Sequence, residues 1–491
     1  MLRTEDPLSN LRQAAALLRS GQTGAARELC EAVLKSQPKL YGALNLLGVI
    51  LMRAGEPKRA LVLFAKAIAV DPASSAAFCN RGVALQELGD LEGALASLDQ
   101  AIAINAGDAE AHHNRGNVLR ALWRLEESLA SYERAIAASS GHVEAHTNRG
   151  VALAQLGRHE EALRSFDRAL ALRPDYPPAH WNRGNVALLL GDFARGWEDF
   201  EWRWRLGPGG GLHPRYADRL WSGREPLMGK RILLYAEQGL GDTIQFCRYV
   251  PQVAGLGAEV FLEAQKPLAN LLGALPGVSR LIGAGEEPPA FDYQCPLMSL
   301  AHAFGTGLET IPSSAAYLRS DPELKRRWRE RLGPAAKPRV GLAWSGRATH
   351  PNDHNRSLAL EPWLSCLPDG FEYVSLQKEV RESDRRLLQR GSAIRQFTRE
   401  LDDFAETAAL CDCLDVVITV DTSIAHLAGA LGKRAWILLP FNPDWRWMLD
   451  RRDSPWYPSA TLYRQRSMDD WPAVLDQVRS DLMAGPSLTP A

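Results

Sequence analysis

The chain has 491 residues, 46% hydrophobic and 23% charged, a globular composition too long for one hydrophobic core. Its 57 lysines and arginines balance 58 aspartates and glutamates, so no net field draws it to nucleic acid or an anionic membrane surface. Seven scattered cysteines, no CxxC pair and no apolar run of about eighteen residues exclude a disulfide scaffold and a membrane span.

The opening Met1 to Pro7 lacks an apolar signal core, which predicts a cytoplasmic protein with reduced thiols. From about residue 7 to 205 the sequence repeats. Asn-Arg-Gly recurs at 80–82, 114–116, 148–150 and 182–184, each copy 34 residues after the last. Gly48, Gly82, Gly116, Gly150 and Gly184 fall in phase, as do Gly21, Gly55, Gly89, Gly157 and Gly191, with Trp123 the exception in that second column. Large residues recur at Phe64, Leu98, Tyr132, Phe166 and Phe200. The pattern predicts six helical hairpins, the last degenerate, in which small residues at Ala26, Ala60, Ala94, Ser128, Ala162 and Gly196 let two helices approach while the large residue fills the space beside them.

Asn80, Asn114, Asn148 and Asn182 would then line one face as a ladder, because an amide both donates and accepts and can pair with a peptide backbone. The alternative is that these amides bond locally between hairpins. After Arg205 the run Gly207 to Pro214 breaks the helix, so 206–227 reads as a linker, with Trp202, Trp204 and Trp221 suiting a seam.

Alternating strands and helices follow, which imply parallel sheets covered on both faces. The first set has strands at 231–236, 258–263 and 280–282, and lies within 228–318. A connecting helix occupies 319–337. The second set, within 338–482, has strands at 339–344, 372–376, 415–420 and 435–439. Ligands of such sheets bind at the carboxyl ends of the strands.

The loop Gly239-Leu240-Gly241-Asp242 follows the first strand where a phosphate loop would sit, yet it carries a carboxylate that a phosphate would avoid. In the second set, Asp421-Thr422-Ser423 opens a helix whose free N–H groups and hydroxyls suit a diphosphate, with His426 one turn in. Asp421 reads as a cap or as a ribose or loop anchor in preference to a phosphate contact. Arg347, His350, His354 and Arg356 line the long loop after the strand at 339–344 and offer cations, Arg356 the first choice and Arg347 the second. Gln377 and Lys378 end the next strand, Trp445 and Trp447 follow the last, and Cys411-Asp412-Cys413 reads as buried helix and strand in preference to a metal site.

The repeats resemble the tetratricopeptide repeat, with Pro38, Pro72 and Pro174 in place of its closing proline. Residues 228–482 resemble the heptosyltransferase-like enzymes of glycosyltransferase family 9, on Gly239-Leu240-Gly241-Asp242 and on Asp421-Thr422-Ser423-Ile424-Ala425-His426-Leu427-Ala428. That resemblance implies a two-lobed GT-B fold and an inverting transfer from a nucleotide sugar without a metal. It makes Asp242 the general base, and Thr422, Ser423, His426, Asp421, Arg356 and Arg347 the donor side. Resemblance to the protein O-linked N-acetylglucosamine transferases adds Gln377 and Lys378 to the donor side and gives the asparagine ladder a polypeptide to hold. The bacterial flagellin glycosyltransferases look like the same plan, which makes flagellin one acceptor to expect. The alternatives are a lipopolysaccharide or other glycan acceptor, a scaffold with a relic transferase half, and, least of all, a dinucleotide-dependent oxidoreductase.

Overall fold

The computed structural model describes residues 6–206, 217–350, 352–390, 393–401 and 403–485. The glycine-rich break expected at Gly207 to Pro214 lies outside them, as does most of the opening segment. The chain divides into two compact units, residues 1–183 and 184–491.

The helices pair as the period predicts. Pro7–Arg19 pairs with Thr23–Ser36, Tyr41–Arg53 with Pro57–Val70, Ser75–Glu87 with Leu91–Ile104, Ala109–Ala121 with Leu125–Ala138, and Val143–Gln155 with His159–Leu172. Pro177–Leu189 and Phe193–Phe200 complete the series, and the division between units falls inside the first of these two. A Cβ built on Gly48, Gly82, Gly116 or Gly150 would lie 2.4 to 2.7 Å from Phe64, Leu98, Tyr132 or Phe166 respectively. The two columns found in the sequence are therefore one contact, a bare backbone pressed on a buried side chain, repeated in successive hairpins.

The second glycine column makes the turns. Gly21, Gly55, Gly89, Gly157 and Gly191 all have φ between 73° and 87°, and Trp123 is forced into the same region at 58°. A left-handed conformation costs a residue with a Cβ about 1–2 kcal/mol. Trp123→Gly is therefore expected to stabilise the repeats by about 1 kcal/mol; a urea midpoint that fell or stayed put would count against this.

In the second unit β1 (Arg231–Tyr235), β2 (Glu259–Ala264), β3 (Val278–Gly283) and β4 (Tyr293–Pro296) form a parallel sheet in the order β3-β2-β1-β4. The second sheet holds β5 (Arg339–Ala343), β6 (Glu372–Ser375), β7 (Ile394–Arg395), β8 (Val416–Val420), β9 (Ala435–Leu439) and β10 (Ala460–Arg464), in the order β10-β9-β8-β5-β6-β7. Each of its ladders is parallel. Strands β5, β8 and β9 are buried along their whole length, which is why they read as continuous apolar runs. The sequence reading missed β4, β7 and β10; within the connecting segment 319–337 the helix runs Pro322–Leu332, capped by Asp321.

The element closing the repeat series is built into this second unit. Trp197 donates from Nε1 to the Thr306 carbonyl at 2.8 Å, and its ring meets Trp445 edge-on at 5.2 Å, with Phe200, Phe246 and Trp456 around it. Trp221 is buried against Phe304. Cys411 is buried and Cys413 Sγ faces the Ala409 carbonyl, in keeping with the helix-and-strand reading of that pair. Among the described residues no helix is long and apolar enough to cross a membrane.

Candidate functional site

Strand order fixes where a ligand would lie. In the second sheet the chain runs outward from β5 to β7, then returns to the middle and runs outward the other way from β8 to β10, so β5 and β8 flank the point where connections diverge. In the first sheet that point lies between β1 and β4. Loops at the carboxyl ends of such neighbours spread apart and leave a crevice. The loops leaving β1, β5 and β8 are among those singled out in the sequence.

The loop after β1 enters helix Leu240–Phe246 with Gly239 at the N-cap and Asp242 three residues on. Asp242 Oδ2 accepts from the Gly239 N–H at 2.8 Å, the reach-back half of a capping box. Behind it Glu237 is clamped by Arg203, whose Nε and Nη2 donate to its two oxygens at 3.1 and 2.9 Å, while the Met298 N–H donates to Oε1 at 3.3 Å. The loop is thus held at both ends, and Met298 ties it to the segment after β4.

Helix Ser423–Ala430 packs directly on helix Leu240–Phe246. A Cβ on Gly241 would sit 2.7 Å from His426 Cδ2 and 3.4 Å from Ser423 Cα, so only glycine allows this approach. The two motifs, far apart in sequence, are brought face to face. The N-cap of the second helix is Thr422, whose hydroxyl accepts from the Ile424 N–H at 3.3 Å; this corrects the reading of Asp421 as the cap. Asp421 is instead half-buried beside Asp444, and burial with that like charge holds its carboxyl above the usual range, opposed by Arg356 and Arg446.

Arg356 Nη1 donates to the Asp421 carbonyl at 3.0 Å, joining the β5 loop to the β8 turn, and its Nε is buried with no hydrogen-bond partner. Arg347 is exposed. Gln377 is saturated by backbone: Oε1 accepts from the Trp344 and Ser345 N–H groups at 3.2 and 3.3 Å, and Nε2 donates to the Ser345 and Glu379 carbonyls at 2.8 and 3.0 Å. It shapes the start of the β5 loop and has no donor left for a ligand. Lys378 Nζ donates to the Thr398 carbonyl at 3.2 Å.

Sequence reasoning missed Arg446. This buried guanidinium donates from Nη2 to Asp242 Oδ1 at 2.5 Å, from Nη1 to Asp444 Oδ1 at 2.9 Å, and from Nε to Gln245, with Trp445 4.3 Å from its carbon. The only local signal is Asp444, which caps the short turn Trp445–Trp447. Trp445 and Trp447 are both buried, and Trp447 stacks on His426 at 5.5 Å.

His426 Nδ1 lies 2.8 Å from Tyr457 Oη, and burial with Arg446, Arg248 and Arg356 nearby holds the imidazole well below its ordinary value. The folded protein keeps this ring neutral while the unfolded chain protonates it below about pH 6.5, so its contribution is full above that pH and lost on acidification. Stability should fall about 1 kcal/mol more per unit below pH 6.5 in the parent than in His426→Gln. Urea unfolding at pH 7.5 and 5.5 that gave equal losses would contradict this.

In the repeats the asparagine amides are used locally. Asn80 donates to Asn45 Oδ1 at 3.0 Å, Asn114 to Cys79 Sγ at 3.4 Å, Asn148 to Asn117 Oδ1 at 2.9 Å, and Asn182 to the Pro178 carbonyl at 2.7 Å. Three of these cross between neighbouring hairpins, as in the local-bonding alternative to a ladder.

Comparison with known proteins agrees with the first unit. Family models of the tetratricopeptide repeat match residues 17–78, 113–177 and 147–201, and a further TPR repeat model matches 84–122. Among curated proteins, Protein FlbA of Caulobacter vibrioides is 28% identical over 323 residues, 60% of this chain and 53% of that protein, so the chain spans about half the length of this relative. Similar solved structures include a thermophilic TPR protein of Thermus thermophilus (25% identity, 37% of this chain and all of that one, TM-score 0.35). They also include MamA (26%, 33% and 94%, 0.30) and YrrB, described as a TPR protein with an unusual peptide-binding site (25%, 36% and 91%, 0.30). The N-terminal region of the chain is a helical superhelix of tetratricopeptide repeats.

Proposed function

We propose that the α/β unit is a GT-B glycosyltransferase that moves a sugar from a nucleotide sugar to a hydroxyl of a protein acceptor captured by the repeats, by an inverting reaction in which the chain's own cations replace a metal. The observation that carries this reading is the meeting of the Gly239–Asp242 loop with the Asp421–Ser423 turn at the carboxyl ends of β1 and β8. One side of that junction offers a carboxylate, the other a helix start with Thr422 and Ser423 beside Arg356. A departing nucleoside diphosphate needs positive charge, and a preorganised cation in a dry site supplies it without reorganisation. Repeat superhelices of this kind take extended peptides, which supports a protein acceptor, flagellin among them.

The reading is tested by a thermal-shift screen of nucleotide sugars against the full chain, followed by donor hydrolysis. A chain beginning at residue 177 is expected to keep donor binding and lose transfer to protein. If no nucleotide or nucleotide sugar raised the melting temperature, the transferase reading would fail. One observation favours a scaffold with a relic transferase half: both oxygens of Asp242 are already engaged, one by Gly239 and one by Arg446.

A further inference from the structure

Two buried histidines in the repeats are turned toward each other without being hydrogen-bonded. His113, on helix Ala109–Ala121, and His142, at the N-cap of helix Val143–Gln155, are each more than nine-tenths buried, with ring centroids 4.8 Å apart. His113 Nδ1 and His142 Nε2 have no hydrogen-bond partner. Glu110 stands one turn before His113 on the same helix face, its Oε1 3.5 Å from His142 Nε2, and one ligand atom from each of the three residues lies within 4.8 Å of the others. Buried imidazole nitrogens without partners are costly, and a pair of them beside a carboxylate calls for a shared occupant.

We propose that Glu110, His113 and His142 bind a divalent ion of the zinc class, which staples the fourth repeat hairpin to the fifth. Two imidazoles and one carboxylate suit zinc in preference to magnesium or calcium, which take oxygen ligands. Ligand bonds of about 2.1 Å require the three atoms to draw closer, and Glu110, with a side chain 70% exposed, is free to swing in. One outer acceptor, Glu144, already stands beside the His142 ring. His142 Nδ1 lies 3.4 Å from Glu144 Oε2 and 3.3 Å from the Ala145 N–H that caps on it. When Nε2 takes the metal, the ring proton moves to Nδ1, which then gives up the Ala145 N–H and donates to Glu144, so the carboxylate–imidazole–metal relay forms at the cost of that helix cap. His113 Nε2 faces the Asn148 side-chain amide at 3.0 Å; with metal on Nδ1 this nitrogen carries the proton, and the amides of Asn148 and Asn117, which share a hydrogen bond, must turn over together for an oxygen to face it. Three protein ligands leave a fourth position for water or a group from a bound partner.

The test uses the full chain, stripped with a chelator and titrated with Zn²⁺ against a chromophoric competitor. One equivalent is expected to bind and raise the melting temperature. His142→Asn, which keeps a good capping residue, and Glu110→Gln, on the surface, should each weaken binding about tenfold or more, whereas His146→Asn should not. Substituted with Co²⁺, the site should give visible d–d bands without thiolate charge transfer. Equal affinity in His142→Asn and the parent would overturn the proposal, and so would a thiolate band that accounted for all the bound cobalt, since that would assign the ion to cysteine.

Discussion

Arg446→Met is expected to destabilise the α/β unit by about 3–5 kcal/mol, the usual cost of removing one partner from a buried ion pair. Methionine fills much the same space, so the loss is one of charge more than of packing. Arg446 is the hub of a cluster in which Asp242, Asp444 and Gln245 all turn their oxygens to one guanidinium. Without it Asp242, Asp421 and Asp444 are left close together, and Asp421 is already held above the usual carboxylate range by burial and Asp444. The pair with Asp242 is the deeper one, at 7% and 21% side-chain exposure; that with Asp444, at 35%, is screened by solvent and contributes less. The sign with pH follows. The deficit comes from carboxylates that repel when ionised, so it should shrink as pH falls through their titration and be largest near neutrality. Urea unfolding of parent and variant at pH 7 and pH 4.5 checks this, and a deficit that grew on acidification would mean that the cluster is not held by charge. Arg446→Lys should recover only part of the loss, because an ammonium cannot serve three acceptors in the fixed planar fork of a guanidinium.

How much of this could be read beforehand depends on how local each signal is. The hairpins were legible because one contact, glycine on a large buried side chain, is written several times at a fixed spacing, and repetition averages out the noise in any one copy. Strands β1, β5, β8 and β9 were legible because central parallel strands are apolar on both faces. Strands β4, β7 and β10 were not. Tyr293–Pro296 is four residues ending in proline, Ile394–Arg395 is two residues on a sheet edge, and Ala460–Arg464 at the other edge mixes polar and apolar residues. The Gly239–Asp242 and Asp421–Ser423 motifs were found because a turn of that shape restricts its own sequence. Arg446 carries no such restriction: an arginine between two tryptophans has no periodic or capping signature, and its role exists only once Asp242 arrives from the other sheet. Gln377 was misleading for the opposite reason. A polar residue at a strand end looks like a ligand contact, and only the fold shows its amide spent on Trp344, Ser345 and Glu379.

On the transferase reading proposed above, Asp242→Asn is expected to lower sugar transfer by about 10²- to 10⁴-fold, the usual contribution of a general base. The carboxylate begins the reaction engaged, with Oδ2 on the Gly239 N–H and Oδ1 on Arg446. A base held this way can take a proton only if one contact loosens, and Arg446 is the one that a bound diphosphate would draw away, since phosphate oxygens compete for a guanidinium. Donor binding would then free the base, coupling the two halves of the site through one side chain. Asparagine preserves the size of the side chain and can still accept from Gly239, but its amide donor would face the guanidinium, so a modest loss of stability, about 1 kcal/mol, should accompany the kinetic one. The pH profile separates the two roles open to Asp242. As a base it gives kcat/KM an acidic limb that vanishes in the asparagine variant; as a mere anchor for Arg446 it leaves that limb in place and raises KM for the donor. A loss below about tenfold, with the acidic limb intact, would remove Asp242 from the chemistry and leave it a clamp between the two sheets.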